Sequence, residues 1–412
     1  MAVLPSSALG TVRTVPIGNP GTLLDLLPGP GGLAWVTGGE GLIGWGTAAR
    51  LELTLPNPFA AADAWWRELL AGVEVEDEVG LPGCGPVAFG SFAFDGTTGT
   101  SALVVPETVV GVRDGVWWLT TVGGPVADRP RPGPAPVTPP GAVRYGEGSR
   151  TAAEWTGAVA EAIRRIDRGE VEKVVLARDV VARADGPVDP RRLLRRLAAG
   201  YPGCWTFAVD GLLGATPEML VRLEKGVATS RVLAGTLPRT AGGSATSATL
   251  AGSVKDLAEH RYGVASVADA LARHCGSVEV PDAPYVLALP NVLHLATDVS
   301  AVVADGSTSL GLLASLHPSA AVCGSPRPAA LEVIRAVEGL DRGRYAGPVG
   351  WMNAAGDGEW GIALRCAELD PVDPARLRLF AGCGIVAGSD PQDELAESEA
   401  KLLPMREALG PA

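Results

Sequence analysis

The chain lacks the signatures of several common functional classes. Its six cysteines (Cys84, Cys204, Cys275, Cys323, Cys366 and Cys383) form no CxxC pair and no metal-ligand spacing, so reduced, mostly buried thiols are expected. Four scattered histidines do not make a zinc site by themselves. Basic charge is in deficit, 34 Lys and Arg against 46 Asp and Glu for a net charge of −12, which argues against a nucleic-acid partner. No uninterrupted apolar run reaches the eighteen or so residues that span a bilayer. The Met1 region has neither the basic start nor the long apolar core of a signal peptide. No repeat period occurs. A soluble, cytoplasmic protein with no membrane partner is expected. What is present is bulk: 412 residues, 47% hydrophobic, enough for a large core in one big domain or two. An acidic protein of this kind binds an anion only with local cations or a metal.

Residues 1–122 read as β-rich, with strands at 33–37, 42–45, 50–55, 87–94 and 116–122 and one helix at 60–70. Residues 123–150 are rich in Pro and Gly and read as an extended connector. A helix then begins at Thr151 or Ala152, with Trp155, Val159, Ile163 and Ile166 on one side. A strand at 171–182 follows. Further helices are expected near 190–199, 253–274, 307–316 and 328–338, and strands at 205–209, 219–223, 226–230, 349–352, 359–368, 376–380 and 384–386. Strands in series with helices set between them suggest an α/β (α+β) layout of large antiparallel or mixed sheets flanked by helices. Residues 39–44 spell GxGxxG, but a strand follows where a dinucleotide site needs a helix, so a hairpin turn is expected there.

The richest chemistry lies near the C-terminus, in SDPQDELAESEAK at 389–401. Asp390 suits an N-cap and Pro391 the first helical position. Glu394, Glu397 and Lys401 then share one helix face. Just before them, Gly382 and Gly384 in AGCGIV let a ligand approach the backbone of a strand. Such a meeting suits a divalent metal holding an anionic substrate; the alternative is a solvated face with an ordinary i,i+4 ion pair. Asp256 and Glu259 repeat the acidic i,i+3 pattern, and two such helices could hold one Mg²⁺ between them. Lys173 shares a strand face with Val175 and Ala177; it is either a desolvated general base or a packed stem reaching solvent at the strand edge. Glu218 occupies a turn between strands, where a partly buried carboxyl could act as a general acid and an exposed one would only be solvated. Arg365 interrupts an apolar strand and wants a carboxylate, from a substrate or from an internal partner.

Nine stretches match one family in order: 173–178 (KVVLAR), 216–218 (TPE), 233–236 (LAGT), 255–260 (KDLAEH), 294–297 (HLAT), 316–324 (LHPSAAVCG), 345–351 (YAGPVGW), 365–367 (RCA) and 381–386 (AGCGIV). The chain resembles the chorismate-utilising enzymes, and within them the isochorismate synthases, strongly over residues 151–405 and weakly, through 89–95 (FGSFAFD), in the N-terminal part. The resemblance implies one domain over 1–412, with two large antiparallel β-sheets packed together and helices outside, and residues 123–150 as an internal connector. It implies that Lys173 activates water and Glu218 protonates the departing hydroxyl. Glu259 and Glu397 would ligate Mg²⁺, supported by Asp256 and Glu394. Gly235, Thr236 and His294 would surround the ring carboxylate of chorismate. Tyr345, Arg365, Lys401 and the backbone of Gly382 and Gly384 would bind the enolpyruvyl carboxylate. Lysine at 173, where ammonia-using members carry glutamine, points to water; alanine at 234 argues against aminodeoxychorismate synthase. Ala321 favours stopping at isochorismate, which feeds menaquinone and siderophore synthesis, whereas Tyr345 is shared with salicylate synthases that go on to eliminate pyruvate. Cys383 departs from the family's usual alanine. A monomer is implied.

Overall fold

The computed structural model describes residues 9–123, 137–238, 247–290 and 292–410; within these, the side chains of Ala234, Thr236, Pro238, Ser247, Val254, Lys255 and Glu259 lie outside the description. Alternation along the strands sorts side chains into two cores. In Leu33–Thr37, Leu33 and Trp35 enter one cluster and Ala34 and Val36 the other. Trp205–Val209 does the same, Phe207 and Val209 against Ala208. This is the pattern of strands covered on both faces. Among the described residues the strands assemble into a 13-stranded and a 10-stranded sheet. Pairing is antiparallel except between Thr11–Ile17 and Glu74–Asp77.

The sheets pack through a shared cluster that joins Trp35 and Phe207 of the larger to Phe89, Val221 and Trp360 of the smaller. Helices cover the outer faces. Pro190–Gly200 and Pro391–Leu409 share the second cluster with the 13-stranded sheet, and Val254–Leu271 lies on Val227–Pro238 and Val292–Val303 of the other. Early and late segments interleave: Leu33–Thr37 lies between Trp205–Val209 and Glu40–Trp45, and Val87–Ser91 pairs with Pro348–Asn353.

Local signals produce the helices that position the site. Thr151 caps Ala152–Asp167 through a capping box with Glu154. Asp390 caps Pro391–Leu409 by accepting from the amides of Gln392 and Asp393 at 2.8 and 3.2 Å, with Pro391 in the first turn as expected. Gly38 and Gly39, at φ +58° and +88°, turn the hairpin that the GxGxxG spelling disguises.

Three expectations change. Residues 359–368 form two strands, Gly358–Ile362 in the smaller sheet and Cys366–Leu369 in the larger; Arg365, at φ +49°, stands in the break. Segments 376–380 and 384–386 are one strand, Arg376–Val386, because its glycines pair in register with Ala177 and Val175 and leave no gap in the ladder. Part of the expected connector, Val143–Glu147, is a strand pairing with Lys173–Ala184; residues 124–136 lie outside the described ones.

Candidate active site

Two of the chain's passages between the sheets lie side by side. Leu212–Thr216 of the larger sheet leads through Pro217 and Glu218 into Met219–Glu224 of the smaller. Gly358–Ile362 returns through Arg365 into Cys366–Leu369. Backbone bonds lace the crossings together: Ile362 N–H donates to the Glu218 carbonyl at 3.1 Å, and Ala215 N–H to that of Arg365 at 3.3 Å. Glu218 and Arg365 are both buried at this seam, where a narrow cavity of about 60 Å³ opens.

One wall of the cavity is the ladder between Lys173–Ala184 and Arg376–Val386. Val175 pairs with Gly384 and Ala177 with Gly382, so these residues and Lys173 share a face by strand alternation. A Cβ on Gly382 would lie 3.0 Å from the Tyr345 hydroxyl, so glycine here lets Tyr345 pack close to the strand. The Tyr345 ring stacks on Phe380 at 5.1 Å. Lys401 donates to the Gly382 carbonyl at 2.9 Å and pairs with Glu397. Burial opposes the Lys401 charge, but Glu397 holds its pKa above the ordinary value. Lys173 is fully buried, which removes the solvent-reaching alternative. Glu218 is buried too. Desolvation pushes its carboxyl up to about 8, against the opposing pull of Lys173, the Leu233 amide, Arg365 and Lys401.

The opposite wall carries His294, from Val292–Val303. Arg365 Nη2 lies 3.0 Å from His294 Nε2. An arginine cannot accept, so Nε2 is the acceptor and the neutral ring carries its proton on Nδ1. Burial, then Arg365 and Lys401, hold His294 well below its ordinary pKa. Arg365 forms no ion pair among the described residues, and its Nε is buried without a partner. The internal-partner alternative therefore does not hold, and a buried cation faces the cavity ready for an anion. Gly235, at φ +75°, marks a bulge where the register to Val292–Val303 slips between Ala234 and Thr236. A Cβ on Gly235 would lie 2.9 Å from that of Asp256, so the bulge lets the start of Val254–Leu271 pack closely behind this cavity-lining glycine. Ala321 lines the same space.

The expected acidic groups do not all converge. Cys383 Sγ and one carboxylate oxygen each from Glu394 and Glu397 lie within 4.8 Å of one another. Glu394 also accepts from Ser389 Oγ at 2.7 Å. Asp256 is not in this group but beside Gly235, and the Glu259 side chain is outside the description. Two hard carboxylate donors, one of them paired with the cavity-lining Lys401, fit a divalent cation such as Mg²⁺. Sequence reasoning missed the buried Glu338–Arg342 pair, whose guanidinium also borders the cavity. A buried i,i+4 ion pair reads in sequence like any surface one.

A larger cavity, about 560 Å³, lies beside Trp35, Trp205, Arg231 and Glu359. Its polar groups are turned on each other: Trp35 Nε1 donates to Glu359 at 2.8 Å, and Arg231 pairs with Asp298 at 2.8 Å. The smaller cavity is lined by Glu218, Arg365 and Lys401, and Val175 on its wall shares a strand face with the buried Lys173, so it is the candidate site.

Residues 137–410 match the family described as chorismate binding enzyme. The isochorismate synthase DhbC of Bacillus subtilis is 39% identical over 272 residues, 62% of this chain and 68% of the relative. The salicylate biosynthesis isochorismate synthase of Pseudomonas aeruginosa is 41% identical over 288 residues, 67% of this chain and 59% of that one. A Bacillus anthracis structure assigned as the 2,3-dihydroxybenzoate-specific isochorismate synthase DhbC superposes with a TM-score of 0.78 at 30% identity, covering 94% of this chain and 98% of that one.

Proposed function

Because the chain belongs to the chorismate binding enzymes, we propose that it is an isochorismate synthase, an isomerase that adds water at C2 of chorismate, shifts the double bonds and expels the C4 hydroxyl. The observation that carries this proposal is the buried Glu218 carboxyl in a cavity it shares with the cations Arg365 and Lys401, beside the strand face that carries the fully buried Lys173. Lys173 takes a proton from the attacking water. Glu218 gives its proton to the departing hydroxyl, which leaves as water, so one water enters and one leaves. Arg365, Tyr345, Lys401 and the backbone of Gly382 and Gly384 receive the enolpyruvyl carboxylate. His294, Gly235 and Thr236 flank the ring carboxylate. Glu259 and Glu397, with Asp256 and Glu394 in support, would hold Mg²⁺, which when bound anchors the ring carboxylate and offsets its charge.

The test is the product profile of purified protein with chorismate and Mg²⁺, resolved by chromatography, with an EDTA control. Isochorismate alone, lost with EDTA, is expected. Salicylate with pyruvate would mean that Tyr345 outweighs Ala321 and that the enzyme continues to elimination. No consumption of chorismate would overturn the roles given to Lys173 and Glu218.

A further inference from the structure

The strand Lys173–Ala184 has one edge paired along nearly its whole length with Arg376–Val386. Its other edge is interrupted. Gly324–Ser325 pairs with Lys173 and Val174, and Val143–Glu147 begins only at Val180. Between them no strand is paired to this edge among the described residues, yet its backbone groups are buried and need partners. Val175 N–H donates to the Cys323 carbonyl at 2.8 Å. Beyond that point side chains replace main chain. The Val175 carbonyl accepts from Arg342 Nη2 at 2.8 Å, and Ala177 N–H donates to the Glu338 carboxylate at 2.8 Å. Arg342 Nη1 also donates to the Val322 carbonyl at 2.9 Å. Glu338 and Arg342 bind each other through two contacts of 2.7 and 2.6 Å, and the guanidinium lies 4.0 Å over the Phe94 ring. Both side chains are almost fully buried.

We propose that Glu338 and Arg342 are positioning residues: the ion pair stands where a strand is missing and fixes the wall that carries Lys173 against the one that carries Ala321. This rests on the function proposed above. Val175 is two residues from Lys173, and Val322 adjoins Ala321, so a single guanidinium ties the two walls. A planar fork can join both carbonyls while bound to a carboxylate; an ammonium cannot hold the same geometry.

The test uses the full chain. Arg342→Lys keeps the charge but unties the walls, and is expected to lower kcat about 100-fold with KM within about twofold, the scale of an ångström's misplacement. Glu338→Gln keeps an acceptor for Ala177 and is expected to retain at least about a tenth of wild-type kcat. In Glu338→Leu, hydrogen exchange at Ala177 should accelerate at least about tenfold while the Arg376–Val386 ladder stays protected. Wild-type kcat in Arg342→Lys, or unchanged exchange at Ala177, would overturn the proposal. If Glu338→Leu does not fold, the kcat of Arg342→Lys decides. A wild-type protein inert toward chorismate would instead sink the assigned reaction, and the exchange at Ala177 would then judge the edge role alone.

Discussion

Desolvation pushes the Glu218 carboxyl up to about 8 against the pull of its basic neighbours, and this has two consequences. As the acid, it must be protonated, so kcat/KM should fall as pH rises through about 8. The same shift acts on stability. The folded carboxyl titrates near 8 and the unfolded one near 4.5, so between these values the native state holds the extra proton and stability falls as pH rises. Glu218→Gln should therefore leave Tm unchanged near pH 4 and raise it on the order of a few degrees at pH 8, by calorimetry, while activity is lost. Lys173→Ala should lower kcat by about 10²–10⁴-fold with an unchanged circular dichroism spectrum. The residue types were legible in the sequence, but their environment was not. TPE at 216–218 reads as an ordinary turn, because nothing local says that this turn crosses between two sheets.

At the scale of elements, the C-terminal helix was the most legible part: its cap, its first-turn proline and its acidic face are all local signals. The broken strand around Arg365 was not, since a switch of sheets is a tertiary event inside an apolar run. The bulge at Gly235 gives a prediction of its own. An alanine there meets both a left-handed backbone and the Asp256 Cβ at 2.9 Å. The backbone alone costs about 1–2 kcal/mol, and Asp256 must also move. Gly235→Ala should lower Tm and raise KM for chorismate, by steady-state kinetics, more than it lowers kcat. Retained wild-type KM would show that the helix start at Asp256 does not shape the cavity.

At the scale of the molecule, strands from residues 9–123 and from the later segments are neighbours in both sheets. We propose that the chain folds as one unit. Urea unfolding followed by tryptophan fluorescence and by circular dichroism should give coincident single transitions. A fragment starting at residue 137 would leave one edge each of Trp205–Val209 and Pro348–Asn353 unpaired, and should be recovered aggregated. Two separated transitions, or a soluble, folded fragment, would oppose this.

The paired crossings at Glu218 and Arg365 also bear on when activity arises during refolding. Each crossing joins strands of different sheets, so acid and cation come together only after both sheets have formed and docked. Long-range contacts of this kind are made late and slowly. Refolded protein should therefore regain its β-sheet spectrum before it regains turnover, and the lag between the two would time the closing of the seam.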